Sequence, residues 1–355
     1  MADALAIQPD VRFLKRVLAS GGGDLKKCYQ CATCSVACEL APEESPFPRK
    51  QMMEAQWGLK AQLLCDPAIW LCHNCGKCTE RCPRGARPGD VLGAVRREAI
   101  RHFAFPGWMG ALVADPKWLP LLFLLPALIF AAVAFWAPKP VPAPPFEFGS
   151  VFPASVLEPL FFAISGFALL AFAVGVVRFA RGIGETPSAG FGAALKDIAA
   201  HQSFKQCDDA SMRLAHQLTM WGFAGLAMVG TATGIGTMAG VLRTPLALES
   251  PLKIFANLAA AASLAGVTLL LARRVGRPAS TYFDWFFLAA LSGVVFTGIA
   301  AELLRLAEAR AMYGVYFVHL VLIFGLLLYA PYSKFAHLAY RTVAMARSRK
   351  FNARS

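Results

Sequence analysis

Eight of the ten cysteines fall into two copies of one spacing. Cys28, Cys31, Cys34 and Cys38 form C-x2-C-x2-C-x3-C, and Cys72, Cys75, Cys78 and Cys82-Pro83 repeat it. Three thiolates spaced this closely curl the backbone around one face of an iron–sulfur cube. The fourth lies too far along to close the same site, and in two-cluster ferredoxins it crosses to the other cluster. The spacing therefore predicts two [4Fe–4S] clusters, one on Cys28, Cys31, Cys34 and Cys82, the other on Cys72, Cys75, Cys78 and Cys38. Structural zinc sites put a longer gap between two ligand pairs, and this pattern has none. One departure is visible: Cys38 is followed by Glu39-Leu40-Ala41-Pro42, not directly by proline. Cys65 and Cys207 stand outside both motifs and read as buried free thiols. His73, inside the second motif, reads as a neighbour of the cluster.

A second group of residues has haem spacing. His319 and His337 are 18 residues apart, five turns of an α-helix, which puts them on one face about 27 Å apart along its axis. One imidazole near each surface would let the last helix serve two haems stacked across a bilayer, and ionisable groups within a span are functional candidates by default. His216 opens the third apolar run, on the side where His337 closes the sixth, so a bis-His haem between them is coherent. A partner for His319 is harder to find. His201 lies 15 residues before His216, in a loop on the opposite side from His319. Either that loop re-enters, or the outer site has another ligand, or there is one haem only. No C-x-x-C-H occurs, so covalent c-type haem is excluded by motif. His102 has no evident role.

The elements that must position these residues are legible in the hydropathy. The 57% apolar composition and mean hydropathy of +0.50 are too high for a soluble protein of this size. Residues 1–105 hold 15 Lys/Arg, 11 Asp/Glu and nine cysteines, whereas 106–355 are mostly long apolar runs. The expected domains are a cytoplasmic iron–sulfur domain over 1–105 and a transmembrane cytochrome b domain over 106–355. Six runs are long enough to span a membrane, near 118–136, 156–178, 215–240, 252–272, 283–304 and 312–331. Basic residues in the connections alternate low and high, the positive-inside pattern for six spans with both termini cytoplasmic. The start of the chain has neither a basic n-region nor an apolar h-region, which agrees in leaving the cysteines on the reducing side. Segments 10–19, 47–64 and 88–102 read as helical. The expected fold is an all-α membrane protein, a six-helix cytochrome b bundle behind a helical ferredoxin-like two-cluster domain.

The charge of +13 follows from this topology. No basic face with interleaved aromatics points to nucleic acid. Nor is there a G-x-G-x-x-G fingerprint, a Walker loop or an acid–base–nucleophile set. The chain can carry electrons but lacks the means to reduce a dissolved substrate, so it needs a catalytic partner and a membrane redox carrier, most simply a quinone.

These residues carry a resemblance. His319-Leu-Val-Leu, Pro331-Tyr-Ser-Lys334 and His337 resemble the last helix of the cytochrome b (gamma) subunit of respiratory nitrate reductase. Arg213-Leu-Ala-His216 with Trp221-Gly-Phe-Ala-Gly-Leu226 resembles the helix that supplies the opposing ligands, except that the second ligand expected there falls near Leu226. Residues 20–100 are similar to the iron–sulfur C subunit of heterodisulfide reductases, without the Cys-Cys-Gly motif of their catalytic subunits. A fusion of these parts is similar to the C-subunit family of quinone-interacting membrane-bound oxidoreductases (QmoC). The resemblance implies a multi-pass inner-membrane subunit with one or two b haems and menaquinone as substrate. It also implies QmoA-like and QmoB-like flavin and iron–sulfur partners, and a link to adenylylsulfate (APS) reductase.

Overall fold

The computed structural model describes residues 8–41, 46–136, 144–184, 190–202, 210–275 and 281–352, the last five without their side chains. Cys207 and most of the proline-rich link at 137–146 lie outside the described residues. Among the described residues the regular structure is helical, with no strand. In chain order the α-helices are α1 Val11–Val17, α2 Thr33–Val36, α3 Arg49–Gln56, α4 Lys60–Leu64, α5 Ala68–Leu71, α6 Lys77–Glu80, α7 Pro88–Phe103 and α8 Gly107–Ala114. They continue with α9 Leu119–Trp136, α10 Ala154–Gly182, α11 Phe191–Ala200, α12 Ala210–Met238, α13 Pro251–Val275, α14 Tyr282–Leu306, α15 Met312–Tyr329 and α16 Ala336–Asn352.

Six helical stretches are long and apolar enough to cross a membrane: Pro116–Trp136, Ala154–Gly182, Ala210–Met238, Pro251–Val275, Tyr282–Leu306 and Met312–Arg347. They match the six runs seen in the sequence. Packing divides the chain differently from composition. One unit comprises Met1–Ala114, Ala171–Asp208 and Pro331–Ser355, and the other Asp115–Leu170 and Asp209–Ala330.

In the first unit the short helices are strung around α7, which begins with Pro88, a residue whose missing N–H costs nothing at that position. Its face of Val91, Leu92, Val95 and Ala99 is buried. Asp10 accepts a hydrogen bond from the Phe13 amide at 2.8 Å and so caps α1. The 47–64 segment, which reads as one helix in the sequence, is two. It breaks between α3 and α4, where Gly58 takes φ +67°, a conformation open to glycine. Trp70 of α5 is fully buried. It stacks on Tyr340 of α16, with ring centroids 4.9 Å apart, and meets Phe179 edge-on at 6.1 Å, while Phe179 meets Phe103 at 5.4 Å. Four aromatic rings thereby hold α5, α7, the end of α10 and α16 to one another.

In the second unit α12 and α13 approach closely along small residues, the way helices associate where lipid removes the hydrophobic drive. A Cβ on Gly266 would run into Thr219 Oγ1 and lie 2.5 Å from the Thr219 backbone nitrogen. Lys253 of α13 reaches Glu302 of α14 at 2.8 Å, and Arg305 meets the same carboxylate at 2.8 Å. Tyr329 donates to the Leu122 carbonyl at 2.8 Å, tying α15 to α9.

The chain from His319 to His337 is not one continuous α-helix. It stops at Tyr329, forms a 3-10 turn over Ala330–Tyr332, and resumes at Ala336. Pro331 supplies the reason, since it has no amide hydrogen and its ring collides with the carbonyl one turn back. The five-turn register expected between the two histidines therefore does not apply.

Two outcomes follow from this packing. Gly266→Val should overpack the α12–α13 contact by about 1–3 kcal/mol, lowering the thermal midpoint in detergent, and an unchanged midpoint would mean the helices are not in close contact. Glu54 of α3, 7% exposed with Lys50 3.8 Å away, is pushed up to about 7, mainly by burial, with Lys50 opposing and Asp66 reinforcing. Because the folded value lies above the unfolded one, the protonated form favours folding, and stability falls as pH rises from about 4.3 toward 7. With screening allowed for, the change is on the order of 2 kcal/mol. Glu54→Gln should flatten that slope in midpoints measured from pH 5 to 8.

Candidate functional site

The two cysteine motifs fold as the same loop twice. Cys28 and Cys72 are extended, Gln30 and Asn74 take φ +60° and +55°, and Ala32 and Gly76 take φ +68° and +92°. Ala32 and Gly76 then start α2 and α6, which carry the third cysteines, Cys34 and Cys78. Two left-handed residues in each loop bend its backbone sharply between the first and third cysteines. The likeness extends past the fourth cysteine. Ala41 donates to the Cys38 carbonyl at 3.1 Å, and Gly85 donates to that of Cys82 at 3.2 Å. The missing proline after Cys38 therefore leaves the turn unchanged.

The fourth cysteine of the first loop faces the second loop. Cys38 lines one cavity with Cys72, Cys75 and Cys78, closed by Phe47, Pro48, His73 and Leu92 among others. Burial raises the Cys38 thiol, and Cys72 and Cys75 add to the rise. Burial likewise pushes Cys78 up to about 12, with Cys72, Cys75 and Cys38 contributing. Cys34, by contrast, is raised by burial and then by Cys28 and Cys31. The thiols thus sort into Cys28 with Cys31 and Cys34, and Cys38 with Cys72, Cys75 and Cys78. Cys82 is half-buried at the end of the second loop. Among the described residues no three His, Cys, Asp or Glu side chains converge as they would around one metal ion. A cubane holds its thiolates at separate corners, farther apart than a single ion does. Burial makes Cys34, Cys38 and Cys78 hard to ionise in isolation, which suits a site whose iron carries the compensating positive charge, while Cys31 is lowered by its bond to Thr33.

The second loop is tied down by two arginines. Arg96 of α7 donates through Nε to the Ile69 carbonyl at 2.6 Å and through Nη2 to the Cys72 carbonyl at 3.0 Å. Arg341 of α16 donates through Nη1 to the carbonyls of Trp70 and Leu71 at 2.9 and 3.2 Å. Its Nη2 lies 3.1 Å from Nδ1 of His73. His73 falls to about 4, through burial first and then the charges of Arg341 and Arg96, with Asp197 opposing. It is therefore neutral at physiological pH. Nothing in the sequence marks these arginines, because their partners are backbone carbonyls distant in the chain.

The sequence assigns His201, His216, His319 and His337 to haem. His319 Nδ1 lies 3.0 Å from Thr297 Oγ1, whose hydroxyl hydrogen is directed to the Gly293 carbonyl at 2.6 Å. The hydroxyl oxygen therefore accepts, the proton sits on Nδ1, and the lone pair is on Nε2. The ring lies over Gly298 of α14, where a Cβ would come within 2.8 Å of Cε1. His337 Nδ1 is 2.5 Å from the Lys334 carbonyl, and His201 Nδ1 is 3.3 Å from that of Ala199. A carbonyl only accepts, so both rings also carry the proton on Nδ1. This is the tautomer that metal-bound histidines present, fixed by a partner on the other nitrogen. His201, 3% exposed, ends α11 in a left-handed conformation. His201 and His337 belong to the first unit, while His216 of α12 and His319 belong to the second.

Comparison with known proteins bears on the cysteine region. Residues 24–86 match the 4Fe-4S dicluster domain family. The C subunit of the H(2):CoB-CoM heterodisulfide,ferredoxin reductase of Methanothermobacter thermautotrophicus is 38% identical over 93 residues, 26% of this chain and 50% of that protein. The C subunit of the ferredoxin:CoB-CoM heterodisulfide reductase of Methanosarcina mazei is 38% identical over 88 residues, 25% of this chain and 54% of that one. A protein of Archaeoglobus profundus, itself like the heterodisulfide reductase C subunit, is 38% identical over 85 residues, 24% and 45% of the two chains. The chain spans about half the length of the curated relatives it matches. No solved structure matches it. The N-terminal part is thus an iron–sulfur region homologous to heterodisulfide reductase C subunits, joined to helices long enough to cross a membrane.

If the thiols sort as described, Cys38→Ser and Cys75→Ser should disturb the same one of two reduced-cluster signals in electron paramagnetic resonance. Cys31→Ser should disturb the other. Cys38→Ser grouping with Cys31→Ser would rule out the crossover.

Proposed function

We propose that this chain is a membrane electron-transfer subunit that exchanges electrons between a quinone, menaquinone in the specific reading, and cytoplasmic flavin and iron–sulfur partners. Cys28, Cys31, Cys34 and Cys82 would hold one [4Fe–4S] cluster, and Cys72, Cys75, Cys78 and Cys38 the other. His216, His319, His337 and His201 would ligate one or two b haems. When bound, these groups supply single-electron redox chemistry that no side chain here could perform. The observation that carries the reading is the grouping of Cys38 with the second loop, since a crossed-over fourth cysteine is the mark of paired clusters.

The residues around those groups have definite tasks. The two loops would carry the thiolates of the clusters. Thr297, and the carbonyls of Lys334 and Ala199, engage Nδ1 of three imidazoles and would leave Nε2 to ligate haem. The apolar spans keep water from the second unit and give a lipid-soluble quinone access. A cytoplasmic position for the cysteine domain and both termini follows from the alternating charge of the connections. Partners of the QmoA and QmoB kind, and through them APS reductase in sulfur respiration, complete the proposal. They rest on the resemblance of the fused halves.

The test is spectroscopic. Protein purified in detergent should show a b-type haem spectrum that a menaquinol analogue reduces, with cluster signals appearing as the haem is reduced. His337→Ala should lose haem absorbance and most quinol-driven cluster reduction, while dithionite still reduces the clusters. Well-folded protein with no haem would make the histidines structural and the second unit an anchor. Unchanged haem content in His337→Ala would remove that residue from the ligand set.

A further inference from the structure

The two arginines below the second cysteine loop do more than close a helix end. α5 is a single turn, and the consecutive carbonyls of Ile69, Trp70, Leu71 and Cys72 would otherwise point their negative ends into the interior beside Cys72. All four are taken by two guanidiniums, Ile69 and Cys72 by Arg96, Trp70 and Leu71 by Arg341. The arginines come from different helices, α7 and α16. Arg341 also touches the ring of His73, which lines the same cavity as Cys38, Cys72, Cys75 and Cys78. The first loop is supported differently. There the carbonyls of Leu25 and Cys28 accept from Gln56, a neutral amide, at 3.2 and 2.8 Å. Asp197 of α11 is the carboxylate felt by His73, and Lys77 on the cavity wall is paired with Glu39. The first loop has cations of its own, Arg84 over the Tyr29 ring at 4.1 Å and Arg49 near Cys31, but among the described residues its ligand-bearing carbonyls are not bonded to a guanidinium as that of Cys72 is.

We infer that Arg341 and Arg96 are positioning residues that raise the reduction potential of the cluster on Cys38, Cys72, Cys75 and Cys78. This rests on the loops holding clusters, as proposed above. Reduction adds one negative charge to a cluster, and fixed positive charge a few bonds from a ligand stabilises that form more than the oxidised one. Arginine is suited to the task, because its fork is always charged and spans two carbonyls at once. Arg341 also lies one turn after His337 on α16, so the same helix that presents a candidate haem ligand carries charge that favours reduction of this cluster.

Potentiometric titration followed by electron paramagnetic resonance, on full-length protein in detergent, decides the matter. The signal belonging to this cluster is the one disturbed by Cys75→Ser. Arg341→Gln should leave that cluster at least about tenfold less reduced at a fixed poise, a fall of about 59 mV for one electron. The other cluster should stay within about twofold of wild type. Arg341→Lys, which keeps the charge, should restore most of the difference, and a purely structural role would give no such recovery. Should Arg341→Gln fail to retain iron, Arg96→Gln is read instead and should lower the same cluster. Both clusters moving equally, or neither moving with iron retained, overturns the inference. Iron lost from both Arg341→Gln and Arg96→Gln would make the arginines structural clamps and overturn it too. Wild-type protein without cluster signals would overturn the function proposed above along with it, whereas intact wild-type signals with unmoved potentials overturn only the tuning.

Discussion

The constraint on which the first unit depends is the cost of burying sulfur as an anion. Cys34, Cys38 and Cys78 all sit where burial opposes ionisation, and the last is held neutral far above physiological pH when considered without metal. Removing charge from water is expensive unless an opposite charge sits beside it. The fold answers with loops bent by left-handed residues, with arginines bonded to the carbonyls of one loop, and with apolar side chains closing much of the cavity. Phe47, Pro48 and Leu92 carry no charge of their own. They exclude the water that would otherwise screen it.

That demand explains why the cysteine region is not packed alone. α5 is a single turn and could not hold Cys72 in place by its own hydrogen bonds, since nucleating so short a helix is unfavourable. Its neighbours hold it instead. Trp70 is stacked on Tyr340, and Arg341 follows on the next residue of α16. The C-terminal helix, remote in sequence, is thereby part of the iron–sulfur unit. Pro331–Ser355 groups with the first 114 residues for this reason.

Much of this is legible in the sequence, and the reasons for the rest are physical. Metal-binding cysteines must recur at fixed intervals, so their spacing survives in the sequence as pattern, and so does the length of an apolar span. The arginine clamp leaves no such trace, because a carbonyl acceptor exists at every residue and any distant arginine can claim it. The break between α3 and α4 turns on the single residue Gly58. Pro331 does announce the interruption before α16, but the 18-residue interval between His319 and His337 reads more strongly than one proline. The tautomers of the histidines require Thr297 and Lys334 to be seen in space.

The two cysteine loops share a shape but are not equally suited to it. The second uses Asn74 and Gly76 at its left-handed positions, residues that occupy that region readily, whereas the first uses Gln30 and Ala32 at φ +60° and +68°. Each such residue costs about 1–2 kcal/mol in that conformation. The second loop is therefore shaped largely by its own backbone, while the first leans on Gln56 of α3, which accepts from Gln30 at 2.9 Å and donates to the Leu25 and Cys28 carbonyls. A change that displaced Gln56 would thus release the first loop and leave the shape of the second as it is.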